Sequence, residues 1–308
     1  MFNLFRKEQF RLYNQARKKF LKTPSLLIEL EKFFSTYIYD LLKSNVEEFI
    51  VDYDEASKLY PFWQNYPPDE RGRKPRGDQY PWIEVGEHAI GAKLGRLLSK
   101  DFLVRDTGLP TGPDQRFILA GDKISEITNG LTQMAWLMID IKSVGPRDDF
   151  EHTVMSHNQI SGEGVWTNPN AGIKNSVLYA RGHRQKHKFY PSLPPLYVLS
   201  NKTIIPTIII ALKPVYKMLS LQNKSKDGGQ PLSRIVLASI PNGLLLVENP
   251  GYLKKYPHLL FPGKDDKNKD PFKVRCRISF PILKEIADWR VKNLNIQTTL
   301  EGPDSISR

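Results

Sequence analysis

Met134-Ala135-Trp136-Leu137-Met138-Ile139-Asp140-Ile141-Lys142 is the stretch around which the chain is organised. An apolar run of this length reads as a central strand buried on both faces. Period-two alternation then places Asp140 and Lys142 together on one face at the strand's end, with Ile141 on the other. A carboxylate and an ammonium beside a buried strand are costly unless they pair or hold a metal ion. A surface ion pair where the strand leaves the core is one reading; a catalytic acid is the other. Upstream, Asp114 in Thr111-Gly112-Pro113-Asp114 precedes the strand-like Phe117-Ile118-Leu119. If the two strands are neighbours, Asp114 and Asp140 converge at one sheet end.

Two carboxylates and the backbone oxygen of Ile141 make an oxygen-only set suited to Mg²⁺. A helix over Trp82–Ser99 carries Glu87 inside its apolar stripe, where a carboxylate needs a partner. That partner is either a buried arginine or the same ionic cluster. Lys142 is placed to orient a water or to offset charge growing on a phosphate, which is the chemistry of phosphodiester hydrolysis. A Gly-rich loop ending in Gly-Lys-Ser/Thr is absent, which argues against ATP or GTP hydrolysis. No dinucleotide fingerprint is present either.

The chain has 308 residues, 40% hydrophobic and 25% charged, and a formal net charge of +12. That excess points to a polyanion, and nucleic acid fits better than a membrane because no basic amphipathic helix or lipidation signal accompanies it. The longest apolar segments, near Ile204–Leu212, are too short to span a bilayer. Met1–Lys7 is followed by no apolar core of the signal-peptide kind. A lone cysteine, Cys276, allows no intrachain disulfide and fits a reducing cytoplasm.

The first 60 residues read as helical, broken at Pro24, with Leu26 to Leu42 forming a broad apolar face for the core or, alternatively, for a coiled coil. Asp69–Gly77 is a loop with four basic residues. Arg181–Lys188 is the densest basic patch and runs into Phe189 and Tyr190, a pattern met in solvated faces and in DNA contacts. His152, His157, Asn158 and Gln159 read as ordinary polar residues. Leu196–Leu199 and Ile204–Leu212 read as strands joined at Ser200-Asn201-Lys202. Ile235–Ile240 and Leu244–Val247 flank Pro241-Asn242-Gly243 as a hairpin. Val274–Ile278 reads as a strand with Arg275 and Arg277 on one face, suited to guanine edges or to salt bridges with Asp265, Asp266 and Asp270. Ile282–Val291 reads as a closing helix. These elements describe a mixed α/β fold.

Pro113-Asp114 followed 26 residues later by Asp140-Ile141-Lys142 matches the PD-(D/E)xK nuclease pattern. More specific blocks surround it: Asn65-Tyr66-Pro67-Pro68, Pro81–Glu87, Gly108–Asp114, Asp140–Asp148, Pro194-Pro195-Leu196-Tyr197, Ser239–Leu244 and Pro262–Asp266. Together they resemble the BglI type II restriction endonucleases across almost the whole chain. The resemblance implies a restriction-endonuclease-like core, a mixed central β-sheet flanked by helices with additional antiparallel strands. It implies one endonuclease domain over residues 1–308, with a helical part at 1–60, a catalytic core near 80–160 and recognition elements near 145–280. It further implies a Mg²⁺-dependent homodimer that cuts double-stranded DNA at GCCNNNNNGGC and leaves 3′ overhangs, in a cell holding a cognate DNA methyltransferase. Asp114, Asp140 and Lys142 become the catalytic set, with Glu87 assisting and Asp114, Asp140 and Ile141 as metal ligands. Lys264, Asp266, Arg275 and Asp148 become base contacts, and Arg277 joins Arg275 on its face. A repair or structure-selective nuclease with the same metal site, or a noncatalytic DNA-binding protein, is the alternative.

Overall fold

The computed structural model describes residues 2–58, 82–108, 110, 112–145, 150–163, 178–181, 186–217, 232–263 and 275–296. The chain opens with helices α1 (Phe2–Lys22), α2 (Ser25–Ser44) and α3 (Val46–Lys58), and α4 covers Trp82–Leu98. Next come β1 (Leu103–Asp106), β2 (Gln115–Ala120), the short helix α5 (Asp122–Ile127), β3 (Met134–Ile141) and β4 (His152–Met155), the last followed by a 3₁₀ turn at His157–Gln159. Then follow β5 (Leu178–Arg181), β6 (Lys186–Phe189), β7 (Leu196–Val198), β8 (Ile204–Tyr216) and β9 (Leu232–Ile240). The last elements are α6 (Gly243–Val247), α7 (Tyr252–Lys255), β10 (Leu260–Pro262), β11 (Cys276–Ser279), α8 (Phe280–Ile286), a 3₁₀ turn at Asp288–Arg290 and β12 (Val291–Asn295).

The main sheet runs β1-β2-β3-β8-β9-β12, with β7 also paired to β8. β3 and β8 are parallel, with Asp140 beside Ala211, and the other pairs are antiparallel. β3 is therefore interior, which is why its sequence is apolar on both faces. On one face Ile139, Ile141, Ile208 and Ile210 meet Phe34 and Ile38 of α2, Phe49 of α3 and Leu94 of α4. On the other, Trp136, Met138 and Ile209 meet Met155, Cys276 and Ile278 of a second sheet, ordered β10-β11-β4, together with Leu283 of α8. Each such aliphatic or aromatic side chain contributes about 1.5–3 kcal/mol by leaving water. The apolar face of α2 is spent on this core, so the coiled-coil alternative is not needed.

Two readings change. Leu244–Val247 is not the second strand of a hairpin but lies in α6. The Asn242 side chain accepts from Leu244 N at 3.0 Å as an N-cap and donates to the carbonyls of Pro195 and Thr207, so Pro241-Asn242-Gly243 starts a helix instead of turning a ribbon. The closing helix ends at Ile286, and Val291–Asn295 pairs antiparallel with β9. Val291 and Leu294, three residues apart, fall on opposite faces of this edge strand, Val291 packing with the cluster of Trp136 and Met138 and Leu294 with that of Ile139 and Ile141.

Candidate active site

β2 and β3 are antiparallel neighbours, with Gln115 opposite Ile139. One step further along this register sets Asp114 across from Asp140. The Asp114 carboxylate accepts from the Ile141 backbone N–H at 2.6 Å, which locks the loop before β2 onto the end of β3. Lys142 Nζ donates to Asp140 Oδ1 at 2.9 Å and lies 2.8 Å from Oδ2. The predicted face-sharing of Asp140 and Lys142 is thus a direct ion pair. It is graded in depth: the Asp140 side chain is 1% exposed and that of Lys142 32%, so the lysine is the member that meets solvent.

α4 crosses this end of the sheet at close range. A Cβ on Gly91 would lie 2.4 Å from the Gln115 amide nitrogen, so the glycine lets the Gln115 side chain lie directly against the helix. Glu87, half buried one turn earlier, is near enough for its charge to act on Asp140. Burial pushes the Asp140 carboxyl up to about 7; the Lys142 ammonium opposes this, while the negative charges of Asp114 and Glu87 add to it.

Gln159 was read as an ordinary polar residue and is not one. It is buried, and its side-chain N–H₂ donates to Asp140 Oδ1 and, at 3.2 Å, to the Gly112 carbonyl. The spacing Ser156-x-x-Gln159 is a capping-box signature and could have marked the tight turn that the structure contains. Nothing local announces the contact with Asp140.

The donor set fits a hard divalent cation. Both carboxylates are oxygen donors, and Asp140 Oδ2 is buried with no aligned hydrogen bond despite its contact with Lys142. Among the described residues no cluster of three or more His, Cys, Asp or Glu side chains is arranged to hold a metal ion. Two carboxylates would therefore be completed by backbone oxygen, water and phosphate, a mixture that Mg²⁺ accepts.

Of the expected base-reading residues, Arg275 is exposed just before β11, and Arg277 lies within it, opposite Val154 of β4 and Phe261 of β10. The Arg277 guanidinium packs where a Cβ on Gly263 would stand. Asp148, Lys264 and Asp266 lie outside the described residues, as do the basic loop Asp69–Gly77 and the middle of the Arg181–Lys188 patch. Of its described ends, Arg181 closes β5 and the other is β6, where Lys186 and Lys188 are exposed and Phe189 is buried.

A mixed sheet flanked by helices, with an acid pair and a lysine at the ends of adjacent strands, is the architecture of a restriction-endonuclease-like nuclease. The structure superposes on the crystal structure of restriction endonuclease BglI bound to its DNA recognition sequence with a TM-score of 0.84 at 43% identity, covering 96% of this chain and 99% of that one. The chain belongs to the restriction endonuclease BglI family, whose model matches residues 8–294. It is 45% identical over 290 residues to the type II restriction enzyme BglI of Bacillus subtilis, covering 93% of this chain and 96% of that protein. The tetrameric restriction endonuclease SfiI, solved with cognate DNA, shares the fold alone, with a TM-score of 0.55 at 15% identity over 89% of this chain and 87% of that one. By family the chain is a type II restriction endonuclease, an enzyme type that works with a divalent metal ion. Among the described residues no helix is long and apolar enough to cross a membrane.

Proposed function

We propose that this chain is a Mg²⁺-dependent homodimeric endonuclease of the cytoplasm, acting as one domain over residues 1–308, that cuts double-stranded DNA at GCCNNNNNGGC and leaves 3′ overhangs. The observation that carries the chemistry is the pairing of Asp114 with the backbone beside Asp140, and of Asp140 with Lys142, at one sheet end. In this reading Asp114, Asp140 and the Ile141 carbonyl hold the metal ion. Bound there, Mg²⁺ would supply a polarised phosphoryl oxygen and a more acidic water. Lys142, anchored by Asp140 and open to solvent, orients the attacking water and offsets charge on the phosphate as the water oxygen bonds to phosphorus and the bond to the leaving sugar oxygen breaks. Glu87 supports the site through its negative charge.

Arg275 just before β11 and Arg277 within it are proposed to donate to guanine edges, with Lys264 doing likewise and Asp148 and Asp266 accepting from cytosine amino groups. One site cuts one strand, so a two-fold dimer on a two-fold target supplies a site for each scissile phosphate. The type II restriction enzyme BglI of Bacillus subtilis, at 45% identity, supports cleavage of this enzyme type, and a methyltransferase protecting the target is expected in the same cell. Digestion of a plasmid of known sequence with Mg²⁺, with EDTA as control, followed by mapping of the ends, tests the reading. Discrete cuts only at GCCNNNNNGGC with 3′ overhangs are expected; cuts elsewhere overturn the assigned target, and cutting in EDTA overturns the metal requirement.

A further inference from the structure

Gln159 ends the 3₁₀ turn that follows β4, and every polar group of its side-chain amide is engaged. Its oxygen accepts from Ser156 N at 2.7 Å, while its nitrogen donates to Asp140 Oδ1 and to the Gly112 carbonyl. Reversing the amide would set its oxygen against two other oxygens and its N–H₂ against the Ser156 N–H, so one orientation is imposed. Gly112 lies two residues before Asp114 at φ +144°, and a Cβ there would stand 2.2 Å from the Asn158 carbonyl oxygen. Both acid-bearing segments therefore rest on one short turn, and that turn continues the strand paired to β11.

We propose that Gln159 is a positioning residue for cleavage: its amide braces the Gly112–Asp114 loop and the Asp140 carboxylate against each other, and ties both to the sheet that carries Arg277. Engaging Oδ1 fixes the rotation of the carboxylate, and Oδ2, 2.8 Å from Lys142 Nζ but without an aligned hydrogen bond, is the oxygen through which a cation would be met. This rests on the reading of Asp140 as a metal-holding acid. Partners that orient ligands in this way typically change metal affinity or activity by about 10- to 100-fold when removed.

The test uses Gln159→Met, of similar length without donors, and Gln159→Glu, which keeps the acceptor for Ser156 but has no N–H₂ to offer. The DNA is a duplex carrying whichever site the wild type itself is found to cut, so the proposed target is not assumed. Gln159→Met is expected to bind this duplex in EDTA as the wild type does, to need about 10- to 100-fold more Mn²⁺ for half-saturation of the protein–DNA complex by electron paramagnetic resonance, and to cut more slowly at saturating Mn²⁺. Gln159→Glu is expected to cut more slowly at saturating Mn²⁺ as well. Wild-type cleavage by either variant overturns the proposal. So does a loss of thermal stability and DNA binding with an unchanged Mn²⁺ midpoint, which would make Gln159 a structural residue only. Asp140→Ala keeps the two ideas apart: if it still cuts, the metal-site reading fails before the brace is at issue.

Discussion

Asp140 bears an electrostatic burden that its strand neighbours do not. Its carboxyl is lifted to about 7 by burial, from an ordinary 3.8, so in the metal-free protein the folded state takes up a proton before the unfolded state does. The metal-free protein therefore loses stability as pH rises from about 4 through about 7, where the buried charge forms. Thermal unfolding in EDTA should show Asp140→Asn gaining on the wild type above about pH 7 and losing that advantage near pH 5. Metal uptake requires the deprotonated acid, so Mn²⁺ affinity should fall as pH drops below about 7, with proton release measurable by calorimetry in buffers of different ionisation heat. Lys142→Ala should still bind the cleaved duplex specifically but cut very slowly; undiminished cutting would remove Lys142 from the catalytic set. Asp140 and Lys142 were legible because Lys142 directly follows β3, whose alternation carries on to it and sets both on one face. Gln159 was not, because its partners lie 19 and 47 residues away in sequence.

At the scale of elements, α2 is joined to the end of the main sheet by an ion pair with neither side chain exposed. Arg290 Nη2 donates to Glu31 Oε2 at 2.8 Å, and Asn242 N donates to Glu31 Oε1 at 2.6 Å. Removing one partner strands a buried charge, so Arg290→Met should cost about 3–5 kcal/mol in denaturant unfolding, while Glu31→Leu with Arg290→Met should recover much of that loss. The same cluster explains the misread hairpin. Pro-Asn-Gly is a turn signal in isolation, but Asn242 has carbonyls of the chain before β7 and of β8 to bind and a helix to cap. Just before β11, Arg275→Ala should reduce discrimination at one guanine by about 1–3 kcal/mol, read by competition with substituted half-sites. An equal loss on every sequence would assign Arg275 to the phosphate backbone.

For the whole molecule, the +12 charge sets the expectation for binding to DNA without a site. Affinity for such DNA should fall steeply and linearly in log–log form with salt, and the slope should decrease by about one for each phosphate-contacting lysine lost. Lys186→Ala and Lys188→Ala, exposed on β6, test that directly. Sedimentation of the protein in the absence of DNA should give a dimer; a monomer would leave the two-fold cut without its second site.

Local pattern alone determined the buried central strand, the helices over residues 2–58 and the common face of Asp140 and Lys142, while the approach of Asp114 needed β2 and β3 to be neighbours, as the sheet makes them. The strand, the helices and the common face follow from steric periodicity and from the cost of leaving apolar side chains in water, which act over a few residues. Tertiary structure decided that Gln159 grips Asp140, that Asn242 caps a helix, that Val291–Asn295 joins the sheet and that Glu31 finds Arg290. Each of those outcomes depends on which distant groups are delivered to a buried polar atom that must be satisfied, and short-range periodicity carries no information about that delivery.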